Sequence, residues 1–190
     1  MLPFQYCNPT KIIFGKGQIA RLPKEIPAGS RVLMTYGGGS IKKNGVYNQC
    51  LEALKGYECY EFGGIEPNPD YDTLIQAVDI IKAKNIDYLL AVGGGSVMDL
   101  SKGAWLLYER PDLTDLGMIS PLDKLNLRQK AMLVAVPTTA GTGSECTGAA
   151  VFQDATTDRK IPIAHDELVP DVAILSPEFT ISMPPDLTAG

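Results

Sequence analysis

The chain has 190 residues, of which 45% are hydrophobic and 21% charged, enough apolar material for one packed domain or one domain with a small extension. A net charge of −5 excludes a general nucleic-acid binder, since nothing would neutralise a run of phosphates, and no apolar stretch approaches a membrane span. Met1 to Lys16 lacks the basic start and apolar core of a secretory signal, and the four cysteines (Cys7, Cys50, Cys59, Cys146) have no CxxC spacing, so reduced thiols in a cytoplasmic protein are expected.

Short apolar runs alternate with segments of helical period. Arg31 to Tyr36 reads as a strand ending at glycines, and Gly45 to Leu54 spaces Val46, Cys50, Leu51 and Leu54 like a helix face. Tyr57 to Phe62 is a second short strand, closed by Gly63-Gly64 and the stiff Pro67-Asn68-Pro69. Asp70 can cap the next helix, in which Leu74, Ala77, Val78 and Ile81 fall at i, i+3, i+4 and i+7. Asp87 to Val92 is a strand apolar on both faces, followed at once by Gly93-Gly94-Gly95-Ser96 and a helix over Val97 to Leu107. Arg110 to Lys130 is a polar, proline-containing loop with room for a short helix. Met132 to Val136 is a fourth buried strand, and Val172 to Leu175 a shorter fifth. This alternation predicts an α/β fold, a doubly wound, mostly parallel sheet of Rossmann-like kind with right-handed crossovers.

Three glycine-bearing turns each follow a predicted strand, where open parallel sheets bind ligands. Gly93 to Ser96 opens a helix whose unpaired N–H groups and dipole suit a pyrophosphate; glycines permit close approach and positive φ, and Asp99 is placed to reach back as in a capping box. A tight turn without a ligand would read the same way. Pro137 to Glu145 offers the hydroxyls of Thr138, Thr139, Thr142 and Ser144 after a buried strand, either for phosphate and ribose oxygens or simply for water. Gly37-Gly38-Gly39-Ser40 precedes Lys42-Lys43, and no Asp or Glu lies between Thr35 and Gly45, which favours NADP(H) over NAD(H); a plain basic surface turn is the alternative. His165, in Ala164-His165-Asp166-Glu167, reads as a solvated loop histidine. It forms no metal site at recognisable spacing, and no Ser-His-Asp or Cys-His arrangement stands out, so no catalytic constellation is visible within the chain.

Asn8 to Gly17, Gly64 to Pro69, Ala91 to Lys102 and Pro137 to Glu145 together resemble the iron-containing (group III) alcohol dehydrogenase family, and Thr35 to Lys43 resembles its NADPH-preferring butanol dehydrogenase and aldehyde reductase branch. The resemblance implies that Gly94, Gly95 and Ser96 bind the pyrophosphate, with Asp99 close to the nicotinamide side. It places Thr138, Thr139, Thr142 and Thr147 along the phosphate and ribose cleft, Asn68 at the nicotinamide ribose, and Lys160 at ribose hydroxyls. Gly37, Gly38, Gly39, Ser40 and Lys43 would hold the 2′-phosphate. It further implies a dinucleotide-binding domain over residues 1–180, with 181–190 opening an all-helical second domain whose Asp and three His hold Fe²⁺, or Zn²⁺ in its place, beyond Gly190. That metal would polarise a small alcohol or aldehyde while hydride passes to or from the nicotinamide. A homodimer is typical of the family. Ser176 stands where the family often has Asp, with a modest effect expected on the loop. The competing readings are a nucleotide-binding module without catalysis, and a relative of glycerol dehydrogenase or dehydroquinate synthase, which would prefer NAD(H).

Overall fold

The computed structural model describes residues 7–154, 159–181 and 183; the expected start of a second domain falls almost wholly outside them. Its centre is a six-stranded sheet built from β1 (Lys11–Phe14), β2 (Arg31–Gly37), β3 (Glu58–Ile65), β4 (Tyr88–Gly93), β5 (Met132–Pro137) and β8 (Val172–Leu175). The strand order is β1-β8-β5-β4-β2-β3 and every pairing is parallel. Between them run α1 (Leu22–Glu25), α2 (Ser40–Lys43), α3 (Val46–Ala53), α4 (Tyr71–Lys84) and α5 (Gly95–Glu109).

Both faces of the sheet are covered, which is why its strands read as continuous apolar runs. Leu33, Leu89, Ala91, Leu133 and Ala135 face α4 and α5 with Leu74, Ile81 and Trp105. Their neighbours Val32, Met34, Leu90, Val92, Val134 and Val136 face Leu22, Val46 and Cys50 on the opposite side. Each such side chain contributes about 1.5–3 kcal/mol when withdrawn from water, so the two layers dominate the stability of the fold. Asp70 caps α4 as expected, its carboxylate accepting from Thr73 N at 2.7 Å.

Three expectations need correction. Strand β3 runs on through Gly63-Gly64 to Ile65, because a Cβ at Gly63 would lie 2.3 Å from the Tyr36 ring: these glycines make room for an aromatic side chain and do not end the strand. The region after β5 contains an antiparallel hairpin, β6 (Ala149–Asp154) with β7 (Arg159–Ala164), which the alternating pattern did not suggest. His165, expected in solvent, is buried behind that hairpin. Its Nδ1 accepts from Glu167 N at 3.1 Å, which leaves Nε2–H to donate to Asp123 O at 2.8 Å, a structural role. Ser176 is likewise buried, with its hydroxyl donating to Gly15 O at 3.3 Å.

Candidate functional site

The chain lays β3 on one side of β2, then crosses back to lay β4 on the other and continues outward to β5 and β8. The strand order therefore reverses between β2 and β4, all strands remaining parallel, and at such a switch point the crossover loops part beyond the strands' carboxyl ends. Register brings those ends level: Gly37 pairs with Ile65, Tyr36 with Val92, and Gly93 with Pro137. The three glycine-bearing turns thus open onto one edge of the sheet.

Helix α5 starts directly at this edge. Gly94 is its N-cap, with φ −86° and ψ −167°, and no side chain caps the first turn. The amides of Val97 and Met98 both turn back to Gly94 O at 3.1 Å. Fifteen aligned peptides place the positive end of their dipole here, beside the half-exposed Gly94, Gly95 and Ser96. The expected capping box is not formed. Because the helix begins at Gly95, Asp99 is its fifth residue, a turn too deep to cap, and its Oδ2 instead accepts from Val151 N at 3.1 Å on β6. Burial raises the Asp99 carboxyl above its ordinary range, against the opposing pull of that amide and of Lys102.

The loop after β5 folds over this turn. A Cβ built on Gly94 would stand 3.2 Å from Thr139 Oγ1, and one on Gly95 would stand 3.5 Å from Ser144 Oγ and 3.7 Å from Thr142 Cγ2. Thr138 N donates to Gly93 O at 3.0 Å. The two stretches expected to bind phosphate are therefore two walls of one cleft. Neither Gly94 nor Gly95 has positive φ, so the positive φ expected of this turn is not adopted there, and what matters is the missing Cβ. Gly93 differs, since a Cβ there would meet Val97 Cγ2 at 2.6 Å; its purpose is to seat α5 on the sheet.

Asn68 joins the same cleft from the β3–α4 loop. It adopts the left-handed conformation (φ 53°) and its backbone N donates to Ser96 Oγ at 3.3 Å. Lys160 lies exposed on β7 opposite Gln153, whose own backbone N donates to Pro69 O at 3.1 Å, so the hairpin carries it alongside the Asn68 loop. Thr147 is exposed at the loop's far end, and its carbonyl accepts from Lys102 Nζ at 2.7 Å.

At the end of β2, Tyr36, glycines 37–39, Lys42 and Gly63-Gly64 line a separate hollow. Gly39 has φ 99° and precedes the single turn of α2 that begins at Ser40. Here the pattern-based choice of Lys43 and the geometry diverge: both lysines are exposed, but Lys42 is the one that lines the hollow. Lys42 Nζ stands 5.0 Å from the Tyr36 ring centroid and 4.8 Å from that of Tyr47. Both phenols donate to the Glu61 carboxylate, at 2.8 and 2.6 Å. The bond to Glu61 pushes Tyr47 up to about 12, and hydrogen bonding with Tyr36 raises Lys42. Sequence reasoning noted the absence of acid between Thr35 and Gly45; the fold supplies Glu61 from β3, a neighbour that no local window could reveal.

Among the described residues, no group of three or more His, Cys, Asp and Glu is placed to hold a metal. The cysteines are free, and burial pushes Cys50 up to about 12. No helix among the described residues is long and apolar enough to cross a membrane.

The family model for iron-containing alcohol dehydrogenase matches residues 9–177. The NADPH-dependent aldehyde reductase YqhD of Escherichia coli (strain K12) is 43% identical over 187 residues, covering 98% of this chain and 48% of the relative. The NADH-dependent butanol dehydrogenase A of Clostridium acetobutylicum is 38% identical over 195 residues, covering 100% and 49%. A crystal structure of Escherichia coli K-12 YqhD superposes with a TM-score of 0.88 at 42% identity, over 98% of this chain and 48% of that one. The chain thus spans about half the length of the curated relatives it matches, and those relatives divide between NADPH and NADH.

Proposed function

This chain belongs to the iron-containing alcohol dehydrogenase family, and on that premise we propose that it is the NADP(H)-binding half of a metal-dependent alcohol dehydrogenase or aldehyde reductase. The observation that carries the reading is the uncapped start of α5 lying under the hydroxyls of Thr139, Thr142 and Ser144 at the sheet's switch point. A pyrophosphate there would meet the first-turn amides, the dipole and Ser96 together. Asn68, Thr138, Thr147 and Lys160 would line the ribose and nicotinamide side. Gly37, Gly38, Gly39 and Ser40 would take the adenosine 2′-phosphate, with Lys42 as the cation facing the hollow and Lys43 beside it.

NADP(H) over NAD(H) is favoured by that cation and by the state of Glu61, whose two oxygens already accept from Tyr36 and Tyr47. A carboxylate so engaged is a poor partner for ribose hydroxyls. Bound nicotinamide would supply hydride chemistry on a small alcohol or aldehyde. The domain would run over 1–180, and the Fe²⁺ or Zn²⁺ ligands would come from a helical domain that follows. Edge strand β1 leaves Ile12 and Phe14 exposed, which supports a homodimer formed along it, and the free thiols agree with a cytoplasmic location.

Titration of the 190-residue chain with NADPH, followed by nucleotide fluorescence, tests the reading. Saturable binding, weaker for NADH and without turnover of butanal, is expected. Absence of binding would remove the basis for it, and turnover by this chain alone would contradict the proposal that the metal ligands come from a helical domain that follows.

A further inference from the structure

The β6–β7 hairpin stands apart from the main sheet; β6 pairs along its length with β7, and its other edge carries a single isolated bridge, between Gln153 and Asp70. Ahead of that bridge, side chains from α5 take the place of a strand on this edge. Lys102 donates from Nζ to Thr147 O at 2.7 Å and to Ala149 O at 2.8 Å, while Asp99 Oδ2 accepts from Val151 N at 3.1 Å. Residues 147, 149 and 151 point the same way along an extended segment, and residues 99 and 102 lie one turn apart on one helix face. Lys102 is fully buried. Burying an ammonium is costly unless it is well bonded, and here the cost pushes its titration down to about 8. An apolar side chain would fill the same space at far lower cost but would leave two carbonyls without donors.

The segment held by Lys102 is gripped from behind as well. A Cβ on Gly148 would meet His165 O at 2.1 Å, and His165 N donates to Gly148 O at 2.9 Å. Upstream, the loop from Thr138 to Cys146 is held mostly by short-range bonds, such as Ser144 N to Thr142 Oγ1 at 3.3 Å and Cys146 N to Gly143 O at 3.0 Å, with two longer reaches, Asn8 Nδ2 to Cys146 O at 3.1 Å and Ala140 N to Met183 Sδ at 3.3 Å. Its two ends are fixed by buried groups of the α/β core, Thr138 on Gly93 O and Thr147 on the fully buried Lys102, the second beside the half-buried bond from Asn8 to Cys146 O.

We propose that Lys102 is a positioning residue for the dinucleotide, fixing the downstream end of the 138–147 loop so that Thr142 and Ser144 stand over Gly95. It acts through the loop and does not touch the nucleotide. The inference rests on the reading of this cleft as the pyrophosphate site.

The test compares wild-type chain with Lys102→Met, using NADPH and 2′-AMP as probes, the second of which reaches the β2 hollow but carries no pyrophosphate. Lys102→Met is expected to weaken NADPH about tenfold, as for the loss of one well-made contact. The affinity for 2′-AMP should change by less than about twofold, since the hollow shares no partner with Lys102. Amide hydrogen exchange should speed up over residues 138–149. Unchanged NADPH affinity, or an equal loss for both probes, would overturn the proposal. Should Lys102→Met fail to fold, Lys102→Gln, which keeps two N–H donors, must show the same split in milder form; an equal loss for both probes would again overturn it. A wild-type chain that binds 2′-AMP but not NADPH would overturn the pyrophosphate reading, and this inference with it.

Discussion

Gly95→Ala separates binding from stability in a way that few substitutions allow. Gly95 is the first residue of α5, has no positive φ, and offers a new Cβ only ordinary contacts, at 3.5 Å to Ser144 Oγ, 3.7 Å to Thr142 Cγ2 and 4.0 Å to Thr142 Oγ1. Nothing in the fold requires glycine there. Alanine should therefore gain up to about 1 kcal/mol from helix propensity and reduced freedom of the unfolded chain. For a chain of this size that corresponds to a melting temperature higher by about 2–4 °C. The same methyl group, however, occupies the gap between the first helical turn and the Ser/Thr loop, where a pyrophosphate would approach the backbone. Loss of one close oxygen contact should cost about 1–2 kcal/mol, or about 5–30-fold in NADPH affinity. Thermal melts by circular dichroism and fluorescence titration measure the two quantities on the same samples. A variant that melts lower, or one that binds NADPH as tightly as wild type, would refute the argument that this glycine is retained for a ligand.

Gly148→Ala should behave in the opposite way, because its Cβ would sit 2.1 Å from the backbone oxygen of His165, which cannot rotate aside. A loss of about 3 kcal/mol is expected from such overpacking, seen as an earlier urea midpoint; a midpoint unchanged from wild type would contradict the close contact. Lys42→Ala should weaken NADPH more than NADH, and more than Lys43→Ala does, because Lys42 lines the hollow; equal loss of both cofactors would remove its link to the 2′-phosphate. Stability should also carry the signature of Lys102, whose titration is pushed from near 10.5 down to about 8 by burial. Between those values the unfolded chain binds the extra proton and the folded chain does not, so this group's contribution to stability rises with pH across that window and is lost again as pH falls through 8. The gain is at most about 3 kcal/mol, and urea unfolding at pH 7.5 and 9.5 should show it in wild type and not in Lys102→Met. A pH slope common to both proteins would place its origin elsewhere.

Elements specified by local pattern were legible in the sequence. The strands at Arg31, Asp87, Met132 and Val172 are buried on both faces and therefore appear as unbroken apolar runs, and Asp70 sits where an N-cap must. What escaped was whatever depends on residues distant in the chain. The β6–β7 hairpin lies off the main sheet and begins its second strand with Arg159-Lys160, so neither alternation nor apolar content marks it. Its burial of His165 was unreadable for the same reason. Glu61 reaches the β2 hollow through its neighbouring strand, and Lys102 breaks the usual rule that helical lysines face water. The glycine turns themselves were found, but the reason for them changed. Gly93 seats a helix, Gly63 seats a ring, and Gly94 and Gly95 let a loop of hydroxyls come close to the start of α5.

The central claim is that the Gly93 to Ser96 turn, the Asn68 loop and the Ser/Thr loop hold one end of a dinucleotide whose other end reaches the hollow after β2. Amide hydrogen exchange of the chain with and without saturating NADPH tests it most directly. Slowed exchange should gather in residues 37–43, 66–70, 93–98 and 138–147, and leave the Arg110 to Lys130 region unchanged. Protection confined to other segments, or spread evenly over the chain, would contradict the account.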